Sequence, residues 1–393
     1  MQNLENLAGQ LQLVLYLARD QGIYRVNRVS IGSNRLRLGS PFLQGKPLEV
    51  APKLTGMLFS LCGTAHSIAA QRACAQAVGH TPSAEAESQQ MFQVYAEALF
   101  EHLLRLAKDW SVALANTSPP AFKLQALFKL KRELQQATDP ASTLAGIQHW
   151  FTTHLLGLPA ERWLNYCAQG DANKLSVFGI VGNLIGVLRM QGWESIGNAP
   201  WQALPDLAPD WWDMRLRATD AETFMACPDV DGLACETSSL SRQWHHPALA
   251  CWRVRYGSGL MTRLLARVLD MLACWEALNR CSEGAAGDGS VGEPVGAAHA
   301  CEEGAGAMIT SAVALLPTAR GLLVHRVTQQ GGLINTYQMV APTEWNFHPQ
   351  GSLYHMLHGL VGRNEAELRA KTQSLVAALD PCVAYHLEMI PDA

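Results

Sequence analysis

No two of the ten cysteines in this chain stand in a C-x-x-C pair. A zinc ribbon and a thioredoxin-like motif both need that spacing, so both are excluded. Charge is sparse too, at 16% of residues, with Lys+Arg 30 against Asp+Glu 34 and a net charge of -4. Without a basic excess, neither nucleic acid nor an anionic membrane surface is an expected partner. Long apolar runs are missing. The stretch 11–18 is too short to span a bilayer and follows no basic segment. We therefore expect a soluble, cytoplasmic chain without a signal peptide or membrane insertion, its cysteines present as thiols. G-x-S-x-G and G-x-x-x-x-G-K are not found, nor is a dinucleotide fingerprint opening a helix after a strand, nor an internal repeat.

What is present is 393 residues, 48% of them hydrophobic, enough to bury one large core or two smaller ones. Residues 23–50 read as short strands, with Val26, Val29 and Ile31 alternating weakly among Gly32, Gly39, Pro41, Gly45 and Pro47. From Pro52 the pattern is helical. Residues 65–78 are Ala-rich and end at Gly79. Residues 88–110 set Met91, Tyr95, Leu99, Leu103 and Leu106 on one face. Helical patterns continue at 121–136, 141–155 and 175–190. The Trp- and Pro-rich stretch 193–212 reads as an irregular loop, and 257–278 as an amphipathic helix. Residues 282–306 are dominated by Gly, Ala and Glu, which cannot build a core, so a flexible insertion is expected. A hairpin follows, 321–327 and 333–340 about a Gln-Gln-Gly-Gly turn, then helices at 351–360 and 365–379. The fold class is α+β, mostly α. Its expected parts are a strand-rich segment 1–56, a central helical bundle 57–281, the insertion 282–306 and a hairpin-and-helix part 307–393.

Near the end, Cys382 follows Asp380-Pro381. Chain ends fray unless tied down, so an apolar end carrying a cysteine is expected to be buried, with Cys62 as its candidate partner. Cys62 and His66 are one helical turn apart and can face one point, as two metal ligands would. Equally, Cys62 is a small core residue and His66 bonds a carbonyl. His245 and His246 are adjacent and point apart. Arg320 opens the hairpin and Pro342-Thr343 closes it, which brings a cation and a hydroxyl toward one anionic group. The alternative is an arginine at a sheet edge and a threonine capping a helix.

The run Arg320-Gly321-Leu322-Leu323-Val324-His325, with Gly332-Leu333-Ile334-Asn335-Thr336-Tyr337-Gln338 and Pro342-Thr343-Glu344-Trp345-Asn346, resembles the C-terminal half of NiFe-hydrogenase large subunits. Leu379-Asp380-Pro381-Cys382 resembles their last motif, Ser60-Leu61-Cys62-Gly63 half of their first cysteine motif, and residues 236–242 a mid-chain segment. The likeness runs from about Arg37 onward. In that family two C-x-x-C pairs hold nickel and iron; here Ala65 and Tyr385 stand where the second cysteine of each pair would be. Arg37 matches the family's R-G-x-E motif, but Ser40 stands at its carboxylate position. Hydrogen splitting, and enzymatic activity generally, is therefore not expected.

This combination is similar to the HupK/HoxV-type hydrogenase maturation proteins. The resemblance implies a scaffold on which iron with cyanide and carbonyl ligands, Fe(CN)2(CO), is held transiently and without nickel, then passed to the hydrogenase large subunit. It implies Cys62 and Cys382 as ligands, with His66, Tyr385 and His386 as further candidates. It places Arg320 and Thr343 at the cyanides and Pro342 in the carbonyl pocket. Implied partners are a small HypC-type chaperone, the iron-cofactor assembly proteins and the large subunit. The alternative is a metal-free chaperone that only docks this machinery. The tail after His386 lacks the longer extension that maturation proteases remove.

Overall fold

Two four-stranded sheets hold strands from both ends of the chain and its hairpin, and a long helix buried over its first half packs among the other helices. The computed structural model describes residues 9–34, 42–59, 61–110, 128–129, 131–132, 140–283, 296–301 and 309–392. Arg37, Ser40, Ser60, most of the expected helix 121–136 and most of the insertion 282–306 lie outside them.

The strands are β1 Gln10–Asp20, β2 Ile23–Ser33, β3 Gly296–Cys301, β4 Ile309–Thr318, β5 Gly321–Gln330, β6 Leu333–Val340, β7 Val361–Gly362 and β8 Ala384–Pro391. The first sheet has the order β7-β2-β1-β8, the second β3-β4-β5-β6. The apolar run at 11–18 is a strand because its period is two: Leu11, Leu13, Leu15 and Leu17 all enter the core. Its neighbour β8 runs parallel to it, with Leu11 opposite Tyr385, so both ends of the chain share one sheet. Within the stretch expected to be flexible, β3 pairs with β4; a ladder needs only main-chain groups, which Gly and Ala supply. The expected hairpin is present as antiparallel β5 and β6. Gly331 and Gly332, at φ +59° and +83°, make the tight turn that L side chains disfavour.

The helices are α1 Val50–Leu58, α2 Gly63–Ala77, α3 Ala84–Arg105, α4 Pro140–Trp150, α5 Ala160–Ala168, α6 Ala172–Leu175, α7 Gly179–Gln191, α8 Pro209–Arg217, α9 Ala221–Ala226, α10 Ser239–Gln243, α11 Ala250–Tyr256, α12 Leu260–Ser282, α13 Pro342–Asn346, α14 Ser352–Leu357 and α15 Glu365–Leu379. Single π turns extend α3 (Leu106–Trp110) and α4 (Phe151–Leu155). Among the described residues no helix is long and apolar enough to cross a membrane.

The helices do not form a bundle apart from the sheets. α2 is Ala-rich because it lies on one face of the second sheet, Ala70, Ala73, Cys74 and Ala77 against Ala312, Ala314, Val327 and Tyr337. Trp212, Leu216 and Phe224 cover the opposite face at Val313, Leu315, Val324 and Val340. The sequence predicts an amphipathic α12, but residues 260–272 are all buried, Arg263, Arg267 and Asp270 among them. Those charges find partners inside the protein, which is the condition for burying them.

Candidate functional site

Cys62 is the N-cap of α2 and is buried. The residue after it must be glycine, since a Cβ on Gly63 would lie 2.6 Å from the Gly56 carbonyl oxygen. Arg320, 2% exposed, donates from Nη1 to the Cys62 sulfur at 3.0 Å and from Nη2 to Glu101 Oε2 at 2.9 Å. Its Nε lies 3.4 Å from Asp380 Oδ1. Gly321 has φ +135°, and a Cβ there would meet the Thr237 carbonyl oxygen at 2.0 Å, so only glycine lets the chain leave Arg320 along this path. Cys382 is half-buried. The Thr343 hydroxyl, in the first turn of α13 after Pro342, donates to its sulfur at 3.0 Å, and the Cys382 amide donates back to Thr343 Oγ1 at 3.4 Å. Burial pushes the Cys62 thiol up to about 12 despite Arg320, and Glu97, Cys382 and Glu101 add to the rise. The two thiols are thus electrostatic neighbours around one guanidinium.

Two helices carry the charges that frame them. On α3, Glu97, Glu101 and Arg105 follow one another at i, i+4 and i+8 and share a face. Glu97 accepts the α2 amides of Thr64 and Ala65 at 2.7 and 3.0 Å, filling donors the helix start leaves open. Arg105 Nε lies 2.9 Å from Asp380 Oδ1. On α12, Arg263 clamps Glu236 with two bonds of 2.7 and 3.0 Å. Arg267 reaches Asp380 Oδ2 at 3.2 Å and the carbonyl of Ala378, near the end of α15, at 3.1 Å. Asp270 takes Arg242 and His102.

Asp380 thus meets three arginines. Burial alone would raise its carboxyl, but Arg320, Arg105 and Arg267 hold it down at about 2. It is the C-cap of α15 at φ +59°, a conformation Asp and Asn tolerate best among side-chain-bearing residues. Burial lowers the pKa of His102. Its Nδ1 faces Arg267 at 3.2 Å, which can only donate, so Nε2 carries the proton to Asp270.

The other predicted residues separate. His66 is buried, stacked on Phe59 at 3.9 Å, with Nδ1 2.9 Å from His325 Nε2. His325 Nδ1 in turn lies 2.7 Å from the Tyr337 hydroxyl, and burial pulls His325 down to about 3. Ala65 is buried at the base of α2. Tyr385 packs half-buried on the core, its phenol raised by burial and by Asp109. His386 is exposed on the next position of β8; the two-residue period of a strand turns it away from the side Tyr385 packs on. Pro342 is buried. Among the described residues no group of three or more His, Cys, Asp or Glu is placed to hold a metal ion. Sequence reasoning passed over Glu101, Arg105, Arg267 and His325. For Glu101, Arg105 and Arg267 the available signal was charge at i, i+4 spacing within otherwise apolar helices; His325 lies on β5, where that spacing does not apply.

Hydrogenase expression/formation protein HoxV of Cupriavidus necator is 30% identical over 370 residues, covering 91% of this chain and 92% of HoxV. The chain belongs to the HoxV/HupK family of hydrogenase expression/formation proteins. HupK of Azotobacter vinelandii is 28% identical over 362 residues, covering 89% and 91% of the two chains. The nickel-dependent hydrogenase profile matches residues 252–385 of this HoxV/HupK family member, the stretch that holds Arg320, Thr343, Asp380 and Cys382. The fold is that of the Ni-Fe-Se hydrogenase from D. vulgaris Hildenborough, with TM-score 0.63, 16% identity, and coverage of 93% of this chain and 95% of that one. The enzyme from Desulfomicrobium baculatum superposes with TM-score 0.62 at 13% identity, with coverage of 93% and 95%.

Proposed function

We propose that this HoxV/HupK family member is a non-catalytic maturation scaffold that carries the Fe(CN)2(CO) unit between Cys62 and Cys382 and passes it to the hydrogenase large subunit. One observation carries the reading: each thiol is already bonded by a single buried donor, Arg320 on Cys62 and Thr343 on Cys382. Low-spin iron takes soft thiolate donors. Cargo that brings three ligands of its own needs only a small protein donor set. Once the thiols have given up their protons, iron would take sulfur lone pairs that now accept the Arg320 Nη1–H and the Thr343 O–H, and those donors could turn to the cargo. Both then suit cyanide nitrogens, and charge-assisted bonds of this kind contribute about 1.5–3 kcal/mol each. Ala65 and Tyr385, at the positions of two further thiolates, leave fewer anchors, which favours release. Partners on this reading are the large subunit, a small HypC-type chaperone and the proteins that assemble the iron unit.

The test is infrared spectroscopy of protein purified without oxygen from a hydrogenase-producing host. Cyanide and carbonyl stretches are expected in the wild type and absent from Cys62→Ala and Cys382→Ala. Bands that persist in the double variant would overturn the ligand assignment. A second reading is a metal-free docking chaperone whose large-subunit-like fold engages the same partners. The thiol of Cys62, pushed to about 12, favours it, because a protonated thiol is a poor ligand. Protein that captures the large subunit yet never shows the bands would decide for it.

A further inference from the structure

Strand β5 points successive side chains to opposite faces of the second sheet. His325 faces α2 and His66; Arg326 faces the other side, where α8 packs. There the sheet, the end of α8 and the segment following it line a half-open cavity of about 380 Å³, within the range of small-molecule sites, roughly 300–1,000 Å³. Its floor is two rows running across the strands. Ser311, Thr328 and Thr336 stand opposite one another on β4, β5 and β6, and Arg326 stands opposite Gln338 in the next row. A sheet face given over to water is polar and exposed. This one is polar and buried, with Ser311 at 1%, Arg326 at 5% and Thr328 at 8% exposure.

The donors are set in place by bonds among themselves. Arg326 Nε donates to Asp213 Oδ1 at 2.7 Å and Nη1 to Gln338 Oε1 at 2.9 Å, which leaves Nη2 to face the cavity. Asp213 is occupied by Arg326 and by the Ser311 hydroxyl at 3.1 Å. Arg217 on the wall holds Asp213 Oδ2 by a long bond of 3.5 Å, with 46% of its side chain exposed, and a ligand anion can compete for it. The Thr328 and Thr336 hydroxyls lie 2.5 Å apart. Only one can donate to the other, so one hydrogen is left to donate into the cavity.

We infer that this cavity is a second ligand site, which takes a small molecule by a carboxylate or phosphate group bound to Arg326 Nη2 and Arg217 over the threonine hydroxyls. It lies on the face of the sheet opposite α2, the helix that Cys62 caps, and neither thiol lines it, so it does not depend on the cargo reading. Arginine suits both oxyanions because its planar fork matches their paired oxygens.

Calorimetric titration of the full chain with inorganic phosphate and, separately, with succinate tests it. One saturable site is expected for at least one probe; phosphate alone or succinate alone identifies the group recognised, and both together identify an oxyanion site that accepts either. Arg326 is a poor variant because Asp213 would be stranded, so the informative changes are Arg217→Ala and Thr336→Val. The first should weaken binding about tenfold, as loss of one charge-assisted bond does, and the second several-fold, both in protein that keeps its far-UV circular dichroism and a single cooperative melting transition. No saturable heat with either probe, or equal affinity in the double variant, would overturn the site.

Discussion

The two thiols at the candidate site are held in opposite ways. Cys62 is buried at a helix start and bonded by a cation whose other nitrogens are committed to Glu101 and Asp380. Cys382 is half-buried on the segment between α15 and β8 and bonded by a neutral hydroxyl. The first belongs to a charge network, the second to a local loop contact. Yet the network also decides where the second thiol lies, because Arg105, Arg267 and Arg320 converge on Asp380, two residues before Cys382. A stiff side and an adjustable side of the candidate site therefore share a single anchor.

Removing that anchor should have the largest effect. Asp380→Asn keeps the left-handed backbone but strands three guanidinium groups, and a destabilisation of about 3–5 kcal/mol is expected in chemical denaturation. A loss below about 1 kcal/mol would show that the cluster is solvated rather than interlocked. The pH dependence sharpens the same point. The Asp380 carboxyl is depressed from 3.8 to about 2, so its stabilisation is complete above the unfolded value and is lost as pH falls through about 2. The gap between wild type and Asp380→Asn should stay flat from pH 8 to 5 and narrow by about 2 kcal/mol by pH 2.

Smaller effects separate the two thiols. Arg320→Lys keeps a charge but cannot serve Cys62, Glu101 and Asp380 together, and a loss of about 1.5–3 kcal/mol is expected. Thr343→Val removes one neutral bond and should cost about 1 kcal/mol. Equal losses in these two variants would erase the contrast. Last, iodoacetamide on the native protein at neutral pH should label Cys382 before Cys62, with mass spectrometry as the readout, because Cys62 is both buried and held protonated.

Some of this was legible residue by residue. The β5–β6 hairpin was, because period two and a Gly-Gly turn are local properties. The thiols were as well, since Cys62 and Cys382 stand out by motif. The burial of the charged residues on α12 was not legible. Arg263, Arg267 and Asp270 look solvent-bound until their partners arrive: Glu236 from a loop, Asp380 from the end of α15 and His102 from α3. Nor could the pairing of β1 with β8 be foreseen, since parallel neighbours so far apart in sequence share no turn.

By itself, then, the sequence determined which side chains could do chemistry and which segments would be helix or hairpin, because periodicity and turn residues act over a few positions. Only the tertiary structure decided that Arg320 bonds the sulfur of Cys62, that Asp380 binds three arginines, that His66 is tied to His325 and Tyr337, and that Arg326 opens onto a cavity on the far face of the sheet. Each of those contacts joins residues from elements distant in the chain, and the stability of a buried charge or hydrogen bond depends on the partner that folding brings to it.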